Sequence, residues 1–253
     1  LVNLKIKNRT ALIIGASKNI GRNISITLAK EKVSLIMVAR SKEKLTKLKK
    51  EVDKYSTNNF IIQSDLSIKS NINKLINKIN KKYKKIDIIV HNLGGSLGIK
   101  DPFSPSSKWL KVWNINLGYS IDINNFFIPK MIHNKWGRIV HISSAITTSF
   151  DGYSPYASAK CALEGYIKSV SKVVSKNNVI LSGIAPGLID KEEGYFNYLK
   201  NNNMSELKKY YKNKLPINRM CTQTELSNTV TFLCSDLSSY LPGVIIKQDG
   251  VGN

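Results

Sequence analysis

Short apolar runs rich in branched residues recur along this chain. Each is closed by a turn residue and followed by a longer stretch whose apolar positions return every three or four residues. The runs Thr10 to Ile14, Ser34 to Ala39, Phe60 to Gln63, Ile86 to Val90, Gly137 to Ser143, Val179 to Ala185 and Val244 to Gln248 read as strands buried on both faces. Helices fill the intervals: about Gly21 to Lys30, Lys42 to Tyr55, Lys69 to Tyr83, a long one capped by Ser106 or Ser107 and reaching Asn125 or beyond, Pro155 to Ser175, and Thr222 to Cys234. This alternation predicts an α/β fold, a doubly wound parallel sheet of about seven strands covered on both faces. No linker interrupts it, so residues 1–253 are expected to form a single domain. The pattern breaks from Leu188 to Asn218, a polar stretch carrying Tyr195, Phe196, Tyr198, Tyr210 and Tyr211 that is too long for an idle connection. One or two helices forming a substrate lid are expected there, at about 188–218.

The formal charge of +22 bears on partners. Lysine greatly outnumbers arginine and is scattered over most of the helices beside abundant asparagine and isoleucine, which reads as compositional drift leaving a solvated lysine surface. No nucleic-acid-binding motif accompanies the charge, so no specific nucleic-acid partner is expected. Cys161, Cys221 and Cys234 are odd in number and lack Cys-x-x-Cys spacing, which supports neither a disulfide framework nor zinc. No spacing of histidines, cysteines and acids suits another metal. No apolar run approaches the ~18–20 residues that span a bilayer, and charges stand where a signal peptide has its apolar core. A cytoplasmic protein with no membrane partner is the expectation.

Candidate chemistry begins at Gly15-Ala16-Ser17-Lys18-Asn19-Ile20-Gly21, between the first strand and the first helix. A tight turn there aims the backbone N–H groups of a helix N-terminus beyond the strand end, where they suit a pyrophosphate; otherwise it is an ordinary strand-to-helix turn. Arg40 directly follows the second strand. An acid at that place would bind a free ribose 2′-hydroxyl, whereas arginine suits a 2′-phosphate, and Lys18 can add a second charge. NADP(H) is therefore expected in preference to NAD(H). Farther on, Tyr156 and Lys160 are four apart on a helix and share a face, with Cβ atoms about 5–6 Å from one another. A cation so placed is expected to draw the phenol down from about 10 toward working pH, making Tyr156 able to give or take a proton at a substrate oxygen. Asn114 and Asn116 lie inside the long helix, where asparagine needs a local reason. His133 reads as solvated and His141 as a strand residue with a satisfied ring. Trp109, Trp113 and Trp136 read as core or interface.

Taken in order, these residues resemble the short-chain dehydrogenase/reductase family over nearly the whole chain. The first turn is similar to the family's T-G-x-x-x-G-x-G, Asp65 with Leu66 matches its adenine-contacting aspartate, and His91-Asn92-Leu93-Gly94 is similar to its N-N-A-G. Asn116, Ser144, Tyr156 and Lys160 fall where the resemblance places a catalytic tetrad. Pro186-Gly187, with Ile189 after it, matches the motif following the sixth strand, while Asp236 to Tyr240, Gly243 and Asp249-Gly250 resemble the C-terminal signature. Departures are Ile14 for a threonine, Asn19 for a glycine, His91 for an asparagine and Val251 for the last glycine of D-G-G. Asparagine tolerates positive φ, so the turn can survive Asn19. Within the site, strand alternation puts one of Ser143 and Ser144 on the active face, and the family uses the second. Tyr153, seven before Lys160, offers an alternative register that Pro155 opposes by starting the helix after it.

The resemblance implies a Rossmann-type fold and hydride transfer between NADP(H), or NAD(H) as the alternative, and a carbonyl or alcohol. Tyr156 would exchange the proton, Ser144 would hold the substrate oxygen, Lys160 would tune Tyr156 and hold the nicotinamide ribose, and Asn116 would anchor a relay water. It places the cofactor on Gly15, Ser17, Lys18, Asn19, Ile20, Gly21, Arg40, Asp65, Leu66, Asn92, Gly94, Pro186, Gly187 and Ile189, besides Tyr156 and Lys160. The implied substrate is a small carbonyl compound, free or linked to an acidic carrier protein, with a 3-oxoacyl thioester first. Its rival is a sugar or other polar carbonyl, hinted at by Glu193-Gly194-Tyr195. A non-catalytic nucleotide-binding regulator is the reading from another class. A homotetramer is expected, with Trp113, Phe126, Phe127 and Tyr166 as interface anchors.

Overall fold

The computed structural model describes residues 3–191 and 195–252. In chain order its elements are β1 (Thr10–Ile14), α1 (Asn19–Lys30), β2 (Ser34–Ala39), α2 (Lys42–Val52), β3 (Phe60–Gln63), α3 (Lys69–Lys82), β4 (Ile88–His91), α4 (Ser106–Trp113), α5 (Tyr119–His133), β5 (Gly137–Ile142), α6 (Ile146–Ser149), α7 (Ser154–Val174), β6 (Val179–Pro186), α8 (Tyr195–Asn202), α9 (Met204–Lys214), α10 (Gln223–Leu233) and β7 (Ile245–Gln248). The strands form one seven-stranded sheet in the order β3-β2-β1-β4-β5-β6-β7. Every pairing is parallel. Chain order reverses between β1 and β4, so a crevice opens at the carboxyl ends of those two strands, the place where such sheets take ligands.

Alternation along the buried strands divides the interior into two cores. Ile13, Leu35, Met37, Val90 and Val140 pack against α1, α2 and α10, while Leu12, Ile36, Ile89, Ile139 and Leu181 pack against α3, α5 and α7. At the amino end of the sheet Arg138 is wholly buried. It donates to the carbonyls of Ser235 at 2.9 Å and Asn178 at 3.0 Å, and pairs with Asp236. Trp136 donates to the same aspartate at 2.7 Å. Burial pushes the Arg138 guanidinium down to about 10, with Asp236 opposing. The Asp236 motif is therefore a staple between β5 and the end of α10, remote from the crevice.

Four expectations change in detail. The long helix beginning at Ser106 is broken by a π-helical turn over Asn114–Gly118, after which α5 carries on through Pro129 to His133. Ser106 is its first helical residue, and Pro105 stands at the N-cap without a side-chain bond, so neither Ser106 nor Ser107 caps it. The stretch expected as a lid from 188 is anchored at first: Ile189 forms a parallel bridge with Cys221, and two helices, α8 and α9, rise after it. Asp190 N donates to the Cys221 carbonyl, and Cys221 N to that of Leu188, both at 2.9 Å. Glu193 and Gly194, the hint of a polar substrate, lie outside the described residues. Phe127 packs inside the second core at 3% exposure, which removes it as an interface anchor; Trp113, Phe126 and Tyr166 remain partly exposed.

The C-terminal turn carries strain. Val251 adopts φ +63°, the left-handed region that opposes a β-branched side chain, where the resemblance has glycine. Its side chain is 76% exposed and contributes little packing. Val251→Gly should therefore stabilise the protein by about 1 kcal/mol, the relief of left-handed strain exceeding the added unfolded-chain entropy. Urea unfolding midpoints of the two proteins check this, and an unchanged or lower midpoint refutes it.

Candidate active site

The crevice is a cleft of about 960 Å³ running from the α1 N-terminus to Tyr156 and Lys160. Gly15 leaves β1 at φ +81°, and Asn19 takes φ +47°, the positive value its side chain tolerates. Gly21 lies beneath the turn, outside the cleft lining, and a Cβ there would collide with the Gly15 carbonyl and the Asn92 amide. Asn92 Nδ2 in turn donates to Gly15 O at 3.0 Å, fastening the end of β4 to the turn. Lys18 at the N-cap makes no side-chain cap, and the first turn of α1 has no acid. The positive helix end, with its N–H groups, thus faces the cleft beside Ser17 and Ile20 and suits an anion there.

Toward the β2–β3 end, Arg40 and Lys18 are exposed along the cleft wall, joined by Asp65 and the buried Leu66. Ser67 donates to Asp65 Oδ1 through its N–H at 3.0 Å and its hydroxyl at 2.7 Å. These bonds, with a smaller contribution from Arg40, hold the carboxyl below its usual range. Three cations that sequence reasoning passed over also line the cleft, Lys44 from α2, Lys111 from α4 and Lys191 after β6. Among so many surface lysines only the fold could single them out. Lys191 is exposed at the rim, yet desolvation by the cleft wall and then repulsion from Lys18 lower its pKa. Pro186, Gly187 and Ile189 form the opposite wall; a Cβ on Gly187 would stand 2.8 Å from Asp249 Cα, so the C-terminal Asp-Gly turn packs on this motif.

At the far end the π turn gives Asn116 its reason. Its Nδ2 donates to the carbonyls of Val112 at 2.8 Å and Gly95 at 2.9 Å, and its Oδ1 accepts from Gly95 N at 3.0 Å. Both amide hydrogens are committed to protein carbonyls, so the side chain ties the loop after β4 to the helix. Asn116 is absent from the cleft lining, lying behind Gly94, where a Cβ would stand 2.5 Å from its Oδ1 and 3.2 Å from Lys160 Nζ.

Lys160, only 2% exposed, donates to the Ile142 carbonyl at 2.7 Å, with Nζ 5.6 Å from the Tyr156 ring centroid. Burial pushes it down to about 7, with Glu164 opposing. The expected lowering of the Tyr156 pKa is not met. Burial raises it, and a hydrogen bond with Ser144 offsets part of the rise. The serine pair divides cleanly: Ser143 donates to Glu164 Oε1 at 2.7 Å, and Ser144 is the one at the phenol. Tyr153 stands at the N-cap of α7 beneath Lys100, away from the cleft lining.

Behind this end, His91 and His141 stack with centroids 4.5 Å apart, and both are buried. Asn124 Oδ1 lies 2.9 Å from His91 Nε2, its Nδ2 is 3.4 Å from His141 Nε2 and 3.1 Å from the Tyr166 hydroxyl, and both Nδ1 atoms lack a hydrogen-bond partner. The His141 ring is thus not fully satisfied, contrary to expectation. Desolvation lowers His91 to about 4 and His141 well below its ordinary value, the latter also through repulsion from His91 and Lys160.

A family model described as short chain dehydrogenase matches residues 9–194. The chain is 30% identical over 249 residues to the 3-oxoacyl-[acyl-carrier-protein] reductase FabG of Aquifex aeolicus, spanning 98% of each chain. It is 26% identical to the protein of the same name from Staphylococcus aureus, spanning 96% of this chain and 97% of that one. Among solved structures it is similar to the L-sorbose reductase of Gluconobacter frateurii, with a TM-score of 0.90, 24% identity, and coverage of 99% and 98%. A 7 alpha-hydroxysteroid dehydrogenase complexed with NADH gives a TM-score of 0.87 at 25% identity, with coverage of 99% and 96%.

The histidine pair predicts acid sensitivity. Folded pKa values below the unfolded 6.5 mean that the folded state binds fewer protons, so this contribution is whole above pH 6.5 and is lost as pH falls toward about 4. Denaturant unfolding between pH 7.5 and 5 should show stability falling by up to about 1.4 kcal/mol per pH unit for each histidine. His91→Asn should reduce that slope, and equal slopes refute the assignment.

Proposed function

The chain belongs to the short chain dehydrogenase family and is an oxidoreductase of carbonyl and alcohol groups, and from that premise we propose that it is an NADP(H)-dependent reductase of 3-oxoacyl thioesters. The observation that carries the chemistry is the junction of Tyr156 with Ser144 and the buried Lys160 at one end of a cleft whose other end is a helix N-terminus flanked by cations. The dinucleotide suits the residues present: Gly15 and the α1 N-terminus for the pyrophosphate, Arg40 with Lys18 and Lys44 for a 2′-phosphate, Asp65 for the adenine, and Tyr156 and Lys160 for the nicotinamide ribose. When bound, it supplies the hydride. Tyr156, whose raised pKa keeps it protonated, gives its proton to the developing alkoxide, and Ser144 donates a hydrogen bond to the same oxygen. Lys160 in its ammonium form assists that transfer and restores the proton to Tyr156. Asn116 keeps Gly94, and with it the wall beside Lys160, in place.

The thioester reading is supported by the names of the full-length relatives and by the apolar Leu97 and Ile115 in the cleft lining, which suit an acyl chain better than a sugar. The lysine-rich rim suits an acidic carrier protein. We take the assembly to be a cytoplasmic homotetramer with Trp113, Phe126 and Tyr166 at its contacts.

Turnover of a 3-oxoacyl thioester and a ketose with NADPH and NADH, read by loss of reduced-nicotinamide absorbance, tests the reading. Preference for the ketose would overturn the substrate class. Tyr156→Phe should lower kcat/KM by about 10²–10⁴-fold with cofactor binding retained, and Tyr153→Phe should change it little. Reversed outcomes would transfer the role to Tyr153. For the cofactor, Arg40→Ala should reduce the ratio of NADPH to NADH affinity by about tenfold in fluorescence titrations, the loss of one charge-assisted contact. An unchanged ratio would remove Arg40 from the phosphate site.

A further inference from the structure

Glu164 stands one turn beyond Lys160 on α7 and belongs to none of the motifs that carry the family resemblance. Its Oε1 accepts from Ser143 Oγ at 2.7 Å and from Thr147 Oγ1 at 3.0 Å. A single carboxylate oxygen therefore holds both ends of the turn that leaves β5, with Ser144 between the two donors. The rest of the turn leans on the sheet, Ser143 N donating to Ile184 O at 2.7 Å and Ala145 N to Pro186 O at 2.9 Å. Lys168, four residues on, stands in the favourable orientation for an i,i+4 pair, but the Glu164 oxygen that takes the two hydroxyls is turned to the β5 turn.

The charges around Lys160 leave Glu164 a distinct place. On α7 its other titratable neighbours are Tyr156, a neutral phenol at ordinary pH, and Cys161, whose thiol burial and then Glu164 push up and so keep neutral. From β5 it faces His141, stacked on His91 of β4, both neutral above pH 6.5. From the loop after β4 and the π turn come Gly94 and Asn116, which carry no charge. Among the described residues, Glu164 is the acid whose charge acts on Lys160.

We propose that Glu164 is a positioning residue: through Ser143 and Thr147 it clamps the turn so that the Ser144 hydroxyl stands at the Tyr156 phenol, and its charge holds Lys160 as an ammonium. The proposal rests on the oxidoreductase reading for its purpose, but its two parts can be measured without turnover. In ligand-free protein labelled with [13C]lysine and [13C]tyrosine, one lysine Cε should titrate near 7, apart from the surface lysines, and vanish in Lys160→Met. In Glu164→Gln and Glu164→Ala that midpoint should fall by about one pH unit, the loss of a unit charge one helical turn away. The Tyr156 Cζ midpoint should rise in Glu164→Ala, where the Ser144 bond is released, and rise less in Glu164→Gln, which keeps an acceptor for both hydroxyls. In turnover assays the alkaline limb of the pH profile should shift down with the lysine midpoint. A Lys160 midpoint unmoved in Glu164→Gln overturns the charge role, and equal Tyr156 midpoints in all three proteins overturn the clamp. A wild type that titrates as described but reduces no carbonyl compound would sink the functional reading and leave this assignment standing.

Discussion

An ammonium withdrawn from water has to be solvated by the protein, and Lys160 finds that solvation at the Ile142 carbonyl where β5 ends. Much of the site is arranged around this bond. It fixes α7 against the sheet, and with α7 the phenol one turn earlier. It brings Nζ up to the loop after β4 at Gly94, where the Asn116 amide oxygen, closer still, leaves no room for a side chain and holds the same loop from behind. A lysine with a pKa near 7 exchanges protons readily at neutral pH, which suits a group meant to assist a neighbour's proton transfer. Burial thus serves the chemistry here, although it opposes the charge.

Electrostatic segregation gives the molecule two ends of different character. At the carboxyl ends of the strands cations line an open cleft, an arrangement that suits a negative charge. At the amino ends the fully buried Arg138 meets its partners within the chain, in the Ser235 and Asn178 carbonyls and Asp236.

The strands were legible because parallel strands buried on both faces must be apolar throughout, and Thr10–Ile14 or Val179–Pro186 can be little else. Helical period put Tyr156 and Lys160 on one face, but spacing alone marks neither them nor the glycine turn as a site; the ordered set of motifs did, and the fold brings them to one cleft. The π turn was visible only as a puzzle, two asparagines where helix formers belong. Lys44, Lys191 and Glu164 gave no signal, because in a lysine-rich chain nothing local separates a cation facing a cleft from one facing water. The direction of the Tyr156 shift was missed for a related reason. Spacing reports the neighbouring charge but says nothing of burial, which is a property of the whole fold.

The bridge between Ile189 and Cys221 gives the helical pair α8–α9 an independence that the rest of the chain lacks. Its two roots are already joined in hydrogen-bonded register, so the excursion between them is a closed loop in the polymer sense. Lengthening such a loop carries only a logarithmic entropy cost, about 0.6 kcal/mol per doubling. The segment is therefore modular: it can be exchanged, extended or shortened with the bridge left intact and Tyr156, Ser144 and Lys160 undisturbed. In the proposed reading, exchange of this one segment would alter what the cleft admits while Tyr156, Ser144 and Lys160 keep their places.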